Sequence, residues 1–345
     1  MYNSVWGSYP IDQPSGARFA IMKMSRWQKV LNFDPIPALV SAENQAISFF
    51  TLRNLLNQKS EKIEVLWELP EPTKIIRKQQ KNGSWIYRGG NLNLRSQEDY
   101  NQLETYRNLG VLVEKYGFSR KSHAIQKAAK YLFSCQTTDG DFRGIYGNQY
   151  SPNYSAGMME LLIKAGYSDD PRIEKGFQWL IFIRQNDRGW AIPFRTVKEK
   201  YDVETLRGEP LLSDRSKPFS HLVTGVVLRA FAAHPEYKNS TEAKIAGELL
   251  LSHLFQKDNY PDRKASLFWL GFSYPFWFTD LLSALDSLSR LGFPADRPEI
   301  RKALGWFVAK QQSNGLWKVK ILKGQDKDLH FWIDLAICRV FKRFF

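Results

Sequence analysis

The sequence has few cysteines and no long apolar run. Cys135 and Cys338 are the only two cysteines among 345 residues, which is too few for a disulfide framework or a four-cysteine zinc site, so a cytoplasmic location is expected. No stretch of about 20 apolar residues occurs, and the N-terminus lacks the apolar core of a signal peptide. We therefore expect neither a transmembrane segment nor secretion. Gly, Pro and Ser near the start predict a flexible tail over residues 1–30, followed by one domain over residues 31–345.

Acidic residues are outnumbered by basic ones. The chain has 49 Lys and Arg against 35 Asp and Glu, a net charge of +14. Such a charge attracts polyanions, anionic lipid surfaces and small anions alike. No helix-turn-helix, zinc-finger or RNP pattern accompanies the basic residues, so no nucleic-acid partner is predicted. Peripheral contact with a membrane stays open.

Strand patterns are scarce, whereas one short motif recurs. Gln, an acid or amide, Gly and an aromatic residue return as QQKNGSW from 79, QTTDGDF from 136, QNDRGW from 185 and QQSNGLW from 311. A leading aromatic residue precedes the closing one by eleven positions in three copies: Tyr131 and Phe142, Trp179 and Trp190, Trp306 and Trp317. A degraded copy is expected to end at Tyr260. A repeat of about 50 residues predicts stacked supersecondary units.

The stretches between the motifs have the period of amphipathic helices. Ser122, Asp170 before Pro171, and Arg297 before Pro298 supply helix starts. Asn-Gly and Asp-Gly in the motif tolerate left-handed backbone, so they are expected to turn the chain inward. The aromatic residue is expected to pack between neighbouring hairpins. The Gln side chain is expected to form hydrogen bonds with helix-end groups of the next repeat. These helical hairpins predict an all-α fold, an α/α toroid with six inner and about six outer helices around a central cavity.

The motif, Gln-x-x-x-Gly-x-Trp/Phe after an aromatic residue, resembles the QW repeats of the prenyltransferase and squalene-cyclase superfamily over roughly residues 40–340. The copies at Gln79, Gln136 and Gln311 match it, whereas the copy at Gln185 lacks one residue between Gly and Trp. Residues 34–56 look like the small single-domain, squalene-cyclase-like proteins of bacteria and archaea whose activity is mostly unassigned. The resemblance implies an α/α toroid related to terpenoid cyclases or prenyltransferases.

The acid and metal motifs of that superfamily are missing. The chain contains no Asp-x-Asp-Asp for alkene protonation, no Asp-x-x-Asp-Asp for magnesium and diphosphate, and no Asp-x-Cys for zinc. Asp169 and Asp170 are expected at a helix start, where capping is the ordinary role of a carboxylate. His330, Asp334 and Cys338 share one helix face, but the outer two lie ~12 Å apart along its axis. No metal or other cofactor is predicted.

The aromatic run SLFWLGFSYPFWFTDLL, residues 266–282, marks the expected site. Aromatic faces stabilise cations and bury flat apolar ligands, so the run either lines a cavity for an isoprenoid or fills the hole. The expected ligand contacts are Tyr106, Asn153, Tyr154, His221, Tyr274, Trp277 and Phe278. A carboxylate beside His and aromatic rings, screened from water, titrates near neutral pH. The expected catalytic groups are therefore Asp280, His330 and Asp334.

Three functions stay open at this stage. The first is a terpenoid cyclase-like or prenyltransferase-like protein that binds an isoprenoid or another apolar molecule. The second is a non-catalytic module for a lipid, peptide or glycan, and the third is a carbohydrate-active toroid with Asp280 and Asp334 as paired carboxylates. The charged insert at about residues 195–219 is expected to be either a lid over the mouth or a mobile surface loop.

Overall fold

The structure is a computed structural model, and it describes residues 24–58, 61–93, 95–198, 202–260, 266–322 and 326–345. The predicted tail, residues 1–30, lies largely outside these ranges. Among its described residues, Trp27 and Gln28 are buried where a short helical turn begins, and the others are exposed.

Helices make up almost all of the regular structure in the described ranges. In chain order they are α1 (Ile36–Val40), α2 (Gln45–Phe50, continued by a π-helical turn, Thr51–Leu55), α3 (Pro70–Ile76), α4 (Gln97–Tyr116), α5 (His123–Ser134), α6 (Pro152–Leu162, continued by a π-helical turn, Ile163–Tyr167), α7 (Pro171–Phe182), α8 (Pro193–Val197), α9 (Val203–Arg207), α10 (His221–Ala233), α11 (Thr241–Ser252), α12 (Ser266–Trp269), α13 (Leu281–Arg290), α14 (Pro298–Lys310) and α15 (Leu329–Phe344). Two short strands, β1 (Gly271–Phe272) and β2 (Lys320–Ile321), pair in parallel. Three 3₁₀ turns complete the set: Gln28–Val30, Ile63–Glu68 and Tyr237–Asn239.

Six helices form a closed inner ring. Helices α2, α4, α6, α10, α13 and α15 each contact the next, and α15 returns to α2. The outer layer packs on them: α1 on α2, α3 and α5 on α4, α7 on α6, α11 on α10, and α14 on α13. The predicted all-α toroid is thereby confirmed. Helix starts fall where the sequence places them, because Ser122, Asp170 and Arg297 are the N-terminal caps of α5, α7 and α14.

The repeated motif forms the turn from an outer helix to an inner one. Gly83, Gly140 and Gly315 have φ angles of +96°, +108° and +83°, the left-handed backbone expected there. The side chain of Gln79 donates to the carbonyl of Gly83 in its own turn and to the carbonyl of Ala124 in the next outer helix. Gln136 and Gln311 make the corresponding pairs of bonds. Each turn therefore joins neighbouring repeats.

Two copies of the motif depart from the bonding pattern shared by the copies at Gln79, Gln136 and Gln311. In the third, Arg188 takes the left-handed position at φ +76°, and Gln185 bonds to the carbonyls of Asp214 and Lys217 in the insert. In the fourth, Trp269 rather than Tyr260 closes the repeat, because its buried indole donates to the carbonyl of Gln256 as the other closing tryptophans do to their outer helices. The sequence analysis noted the shorter third copy, but it assigned the closing position of the fourth copy to Tyr260. The closing tryptophan stands thirteen positions after its acceptor in that copy and ten in the others, so the spacing hid it.

A matched pair of glycines tests the packing of the motif. Gly83 and Gly89 have nearly equal φ angles, +96° and +92°, but a Cβ at Gly83 would lie 2.1 Å from the carbonyl oxygen of Lys127, whereas a Cβ at Gly89 meets nothing within 4 Å. Gly89→Ala should cost only the left-handed strain, about 1–2 kcal/mol. Gly83→Ala should cost about 1–3 kcal/mol more, because α5 must move. Urea denaturation of both variants measures the difference, and equal losses would show that the turn does not press against α5.

Candidate functional site

One segment, residues 273–279, crosses the inside of the ring. Tyr274 stacks on Trp332 of α15 with ring centroids 5.8 Å apart, and Trp277 packs edge-on against Tyr106 of α4 at 5.3 Å. The carbonyl oxygen of Phe278 accepts a hydrogen bond from Arg229 of α10. Contacts with three separate walls place the segment in the middle of the toroid. The aromatic run therefore fills part of the hole, which was one of the two alternatives from the sequence.

The space that the segment leaves is divided into two cavities. Cavity A has a volume of about 260 Å³ and lies toward α6 and α10, and cavity B has a volume of about 400 Å³ and lies toward α4 and α15. Four aromatic residues line both of them: Tyr106, Tyr154, Trp277 and Phe278. The two cavities are thus separated by an aromatic partition.

Glycines on the inner helices make room for the partition. A Cβ at Gly110 of α4 would come within 2.6 Å of the Trp277 ring, and a Cβ at Gly157 of α6 would come within 2.7 Å of the Tyr106 hydroxyl. Inner helices must be buried on both faces in a double ring, and small residues let bulky side chains from the interior approach the backbone. The partition is therefore built by helix surface and segment together.

Six of the seven predicted ligand contacts line a cavity. Asn153 lines cavity A, Tyr274 lines cavity B, and Tyr106, Tyr154, Trp277 and Phe278 line both. His221 lines neither cavity, since its ring is buried against Trp269 with centroids 4.5 Å apart. Burial lowers the pKa of this imidazole and outweighs the nearby Asp258 carboxylate, so the ring is neutral.

Asp258 is a cavity residue that the sequence analysis missed. Its carboxylate lines cavity A and accepts hydrogen bonds from the Ser220 hydroxyl, the Leu222 amide and the Tyr260 amide, and it lies 3.2 Å from Nδ1 of His221. Two of these donors belong to the start of α10, where a negative charge is favourable. In the sequence, Asp258 stands two positions before Tyr260, in the stretch that was interpreted as a degraded motif. That interpretation gave Asp258 no role of its own.

Asp280 lies beside the cavities but lines neither of them. It caps α13, accepting from the Ser283 amide at 2.7 Å while the Ser283 hydroxyl donates to the Asp280 carbonyl, and it is 1% exposed. Burial raises the pKa of Asp280 to about 7, against the opposing effects of Ser283 and Arg229. The preceding residues, Phe278 and Thr279, do line cavity A. The Asp280 carboxyl group is thus close to half-protonated at neutral pH. In the sequence it comes directly after two residues of the wall of cavity A.

Asp334 and His330 line neither cavity. Asp334 is buried in α15, where one carboxyl oxygen accepts from the Trp317 amide at 3.2 Å and the other has no hydrogen-bond partner among the residues that the structure describes. Burial raises the pKa of Asp334 to about 8. His330 is exposed, with its ring against Phe331. The sequence analysis expected Asp280, Asp334 and His330 at one mouth, and in the structure none of the three lines either cavity.

Asp334 occupies a structural position of the repeat. In three other repeats, the backbone amide of the closing aromatic residue donates to a hydroxyl group on the following inner helix. These pairs are Trp85 to Thr105, Phe142 to Ser155 and Trp190 to Thr224. Trp317 to Asp334 is the same bond with a carboxyl group as acceptor. The equivalence favours an architectural role for Asp334.

Three inner helices carry charged residues in their C-terminal halves, and these side chains meet one another. They are Glu114 on α4, Glu160 on α6 and Arg229 on α10. Glu160 accepts from Arg229 at 2.9 Å and from Lys164 at 2.7 Å, and Lys164 also reaches Glu114. Although burial raises the pKa of Glu160, Arg229 and Lys164 hold it below its ordinary value. These residues form a buried ion-pair cluster between α4, α6 and α10, here named the ionic floor, and they line neither cavity.

The insert is packed against the rim of cavity A. Gln149 donates to the carbonyls of Thr205 and Glu209 and accepts from the amide of Leu211. At the start of the insert, Phe194 and Arg195 line cavity A. The described part of the insert thus lies beside cavity A. Among the described residues, no group of three or more His, Cys, Asp and Glu side chains could hold a metal ion.

Comparisons with known proteins return distant likenesses to solved structures. No family model and no curated protein matches the chain. A variant of the type II terpene cyclase MstE from Scytonema, in complex with geranylgeranyl dihydroxybenzoate, is 11% identical, with a TM-score of 0.39 over 90% of this chain and 84% of that one. MstE without ligand is 12% identical, with a TM-score of 0.34 over 81% of this chain and 96% of that one. A protein from Actinoplanes is 12% identical, with a TM-score of 0.29 over 79% and 98% of the two chains.

These likenesses are too distant to decide function. The ring of helices itself defines the class of protein. It is an all-α toroid whose interior holds an aromatic partition between two cavities. In the described part of the chain, no helix combines the length and apolarity needed to cross a bilayer.

Proposed function

We propose that this protein binds an isoprenoid or a related apolar molecule inside the toroid. The observation that carries the proposal is the partition: Tyr106, Tyr154, Trp277 and Phe278 present aromatic surface to both cavities. Aromatic faces pack well against flat, unsaturated apolar chains, and cavities lined in this way are the usual sites of small apolar ligands. The volumes, about 260 and 400 Å³, suit a ligand of that kind.

The polar lining of cavity A supports a ligand with one polar end. Asn153, Ser220 and Asp258 all line this cavity, and the Asp258 carboxylate is already held by three donors. A hydroxyl group on the ligand could donate to such an acceptor, whereas a plain hydrocarbon would leave it facing apolar surface. A prenyl alcohol, or a molecule with a prenyl chain and a hydroxyl head, therefore fits better than a pure hydrocarbon.

Catalysis is a separate proposal, and it rests on Asp280. Its carboxyl group has a pKa of about 7, and it directly follows two residues that line cavity A. Such a group is suited to donate or accept a proton at neutral pH. None of Asp280, His330 and Asp334 lines a cavity, so the catalytic proposal also requires a change in the wall that brings the Asp280 carboxyl group to the ligand.

Filling the cavities tests the binding proposal. Val226→Trp in cavity A and Val111→Trp in cavity B should each weaken binding of farnesol or geranylgeraniol by at least about tenfold, because the new side chain occupies the ligand's space. The matched control is Val308→Trp on outer helix α14, which lines neither cavity. Isothermal titration calorimetry measures the affinities, and Val226→Phe serves if the larger side chain impairs folding. Binding that is absent in the unaltered protein, or unchanged in both filled variants, would overturn the proposal.

A further inference from the structure

Lys115, close to the C-terminal end of α4, is a buried lysine in the wall of cavity B. No other lysine in the described ranges is buried. The ammonium group of Lys115 donates a hydrogen bond to the carboxylate of Asp326, which lines the same cavity. The side chain of Lys115 is 5% exposed and that of Asp326 is 34% exposed, so the amine lies on the inner side of the pair. The proposed function gives this amine no role.

Aromatic rings share the wall of cavity B with this amine. They belong to Tyr106, Tyr154, Tyr274, Trp277 and Phe278. The Lys115 Nζ atom also lies 5.6 Å from the centre of the buried Trp332 ring. Burial lowers the pKa of Lys115 below its ordinary value, and this effect outweighs the Asp326 carboxylate. A larger fraction of this amine is therefore uncharged at neutral pH than of an exposed lysine, and the uncharged form is the nucleophile.

Lys164 of the ionic floor shows the opposite arrangement. It contacts two carboxylates, Glu114 and Glu160, and it lines neither cavity. Although burial opposes the change, these two carboxylates raise the pKa of Lys164 above its ordinary value. Lys164 is therefore a permanent cation within a framework of ion pairs. Lys115 differs from it in having one carboxylate partner and a cavity beside it.

Cavity B suits a neutral head group better than an anionic one. Its lining carries two cations, Lys115 and Arg107, and each already has a carboxylate partner. Asp326 pairs with Lys115, and Glu104 lies 3.8 Å from Arg107. An anionic head group would therefore bring a charge without a counter-charge into an apolar cavity. An aldehyde carbonyl carries no net charge, and it reacts with an uncharged amine.

We propose that Lys115 forms an imine with an apolar aldehyde, such as an isoprenoid aldehyde, that is bound in cavity B. The proposal rests on the proposed function for the apolar chain of the ligand, and it adds the group by which the chain is held. The ammonium group first gives a proton to Asp326, and the free amine then attacks the carbonyl carbon to form the carbon–nitrogen bond. The carbonyl oxygen takes one proton from the nitrogen and one from Asp326, and it leaves as water. The protonated imine that remains faces the restored Asp326 carboxylate and aromatic rings that stabilise a cation.

Reductive trapping tests the imine. The unaltered protein is incubated with farnesal at neutral pH, and cyanoborohydride converts any imine into a stable secondary amine. Mass spectrometry should show one farnesyl group per chain, and peptide mapping should place it on Lys115. Lys115→Arg should lower the modified fraction by at least about tenfold, because arginine keeps a cation beside Asp326 but stays protonated.

Two controls separate reaction inside cavity B from reaction at the surface. Val111 lines cavity B, so Val111→Trp should lower the modification of Lys115 by at least about fivefold, whereas Val308→Trp on α14 should leave it unchanged. Propanal has no chain to bury, so it should modify Lys115 no more than it modifies exposed lysines. Farnesyl groups spread over exposed lysines without preference for Lys115 would overturn the proposal, and so would an unchanged yield in Lys115→Arg. If that variant fails to fold, the peptide map of the unaltered protein decides by itself.

Calorimetric titration with farnesol separates this proposal from the proposed function. Farnesol has the same chain as farnesal, but its hydroxyl group forms no imine. Farnesol binding without a farnesyl group on Lys115 would remove the imine and leave the cavity proposal standing. A farnesyl group on Lys115 without farnesol binding would support the imine and remove the alcohol as the ligand.

Discussion

Replacing Arg229 with methionine is expected to lower the free energy of unfolding by about 3–5 kcal/mol, because a buried carboxylate is left without its main partner. Arg229 and Glu160 are both nearly inaccessible, and their side chains meet at 2.9 Å. Coulomb attraction offsets the cost of removing both charges from water only while both are present. Arg229 also donates to the carbonyl of Phe278, so its loss should loosen the partition between the cavities as well.

Two further variants show whether the loss comes from the unpaired charge. Replacing Glu160 and Arg229 together with leucine should recover much of the stability, because neither buried charge then remains. Arg297→Ala breaks a well-formed but exposed pair with Glu248 and should change stability little. Urea denaturation at neutral pH measures all three. A loss in Arg229→Met no larger than in Arg297→Ala would show that the floor of the ring is open to water.

The sequence predicted the fold because the information that specifies it is local. A glycine with left-handed backbone, a glutamine and a closing aromatic residue lie within seven positions, so turn chemistry can be recognised without knowing any distant contact. The aromatic run likewise identified most cavity residues, since rings so densely placed must be buried somewhere. It did not show whether the rings line the space or occupy it, and the structure shows both.

The ionic floor could not be predicted in the same way. Glu160 and Arg229 are 69 positions apart, and each is a single charge in an otherwise apolar helix. Only the ring closure brings them together. Asp280 and Asp334 were expected to point toward the mouth from inner helices, but Asp280 accepts a hydrogen bond from the Ser283 amide at the start of α13, and Asp334 accepts one from the Trp317 amide. The paired carboxylates required by a carbohydrate-active site therefore do not line either cavity.

Asp334→Asn is expected to stabilise the protein, and the gain should grow with pH. The folded-state pKa of Asp334 is about 8, whereas an unfolded chain has a value near ~4. Between these two values the folded chain holds one proton more than the unfolded chain, so the free energy of unfolding falls as pH rises through this window. Asparagine does not titrate and can accept the same bond from the Trp317 amide. The difference should be small near pH ~4 and reach on the order of 4–6 kcal/mol above pH ~8.

A second carboxylate, with the opposite shift, serves as the control. Hydrogen bonds from Arg172 hold the pKa of Asp170 below its ordinary value, so its ionised form stabilises the folded state and Asp170→Asn should bring no gain as pH rises. Thermal denaturation of both variants from acid to mildly alkaline pH gives the two slopes. A pH-independent difference for Asp334→Asn would mean that the carboxyl group is ionised when folded and has a partner for its second oxygen. If the slope appears, a buried neutral acid stands where three other repeats use a hydroxyl group, and Asp334 belongs to the framework rather than to a catalytic site.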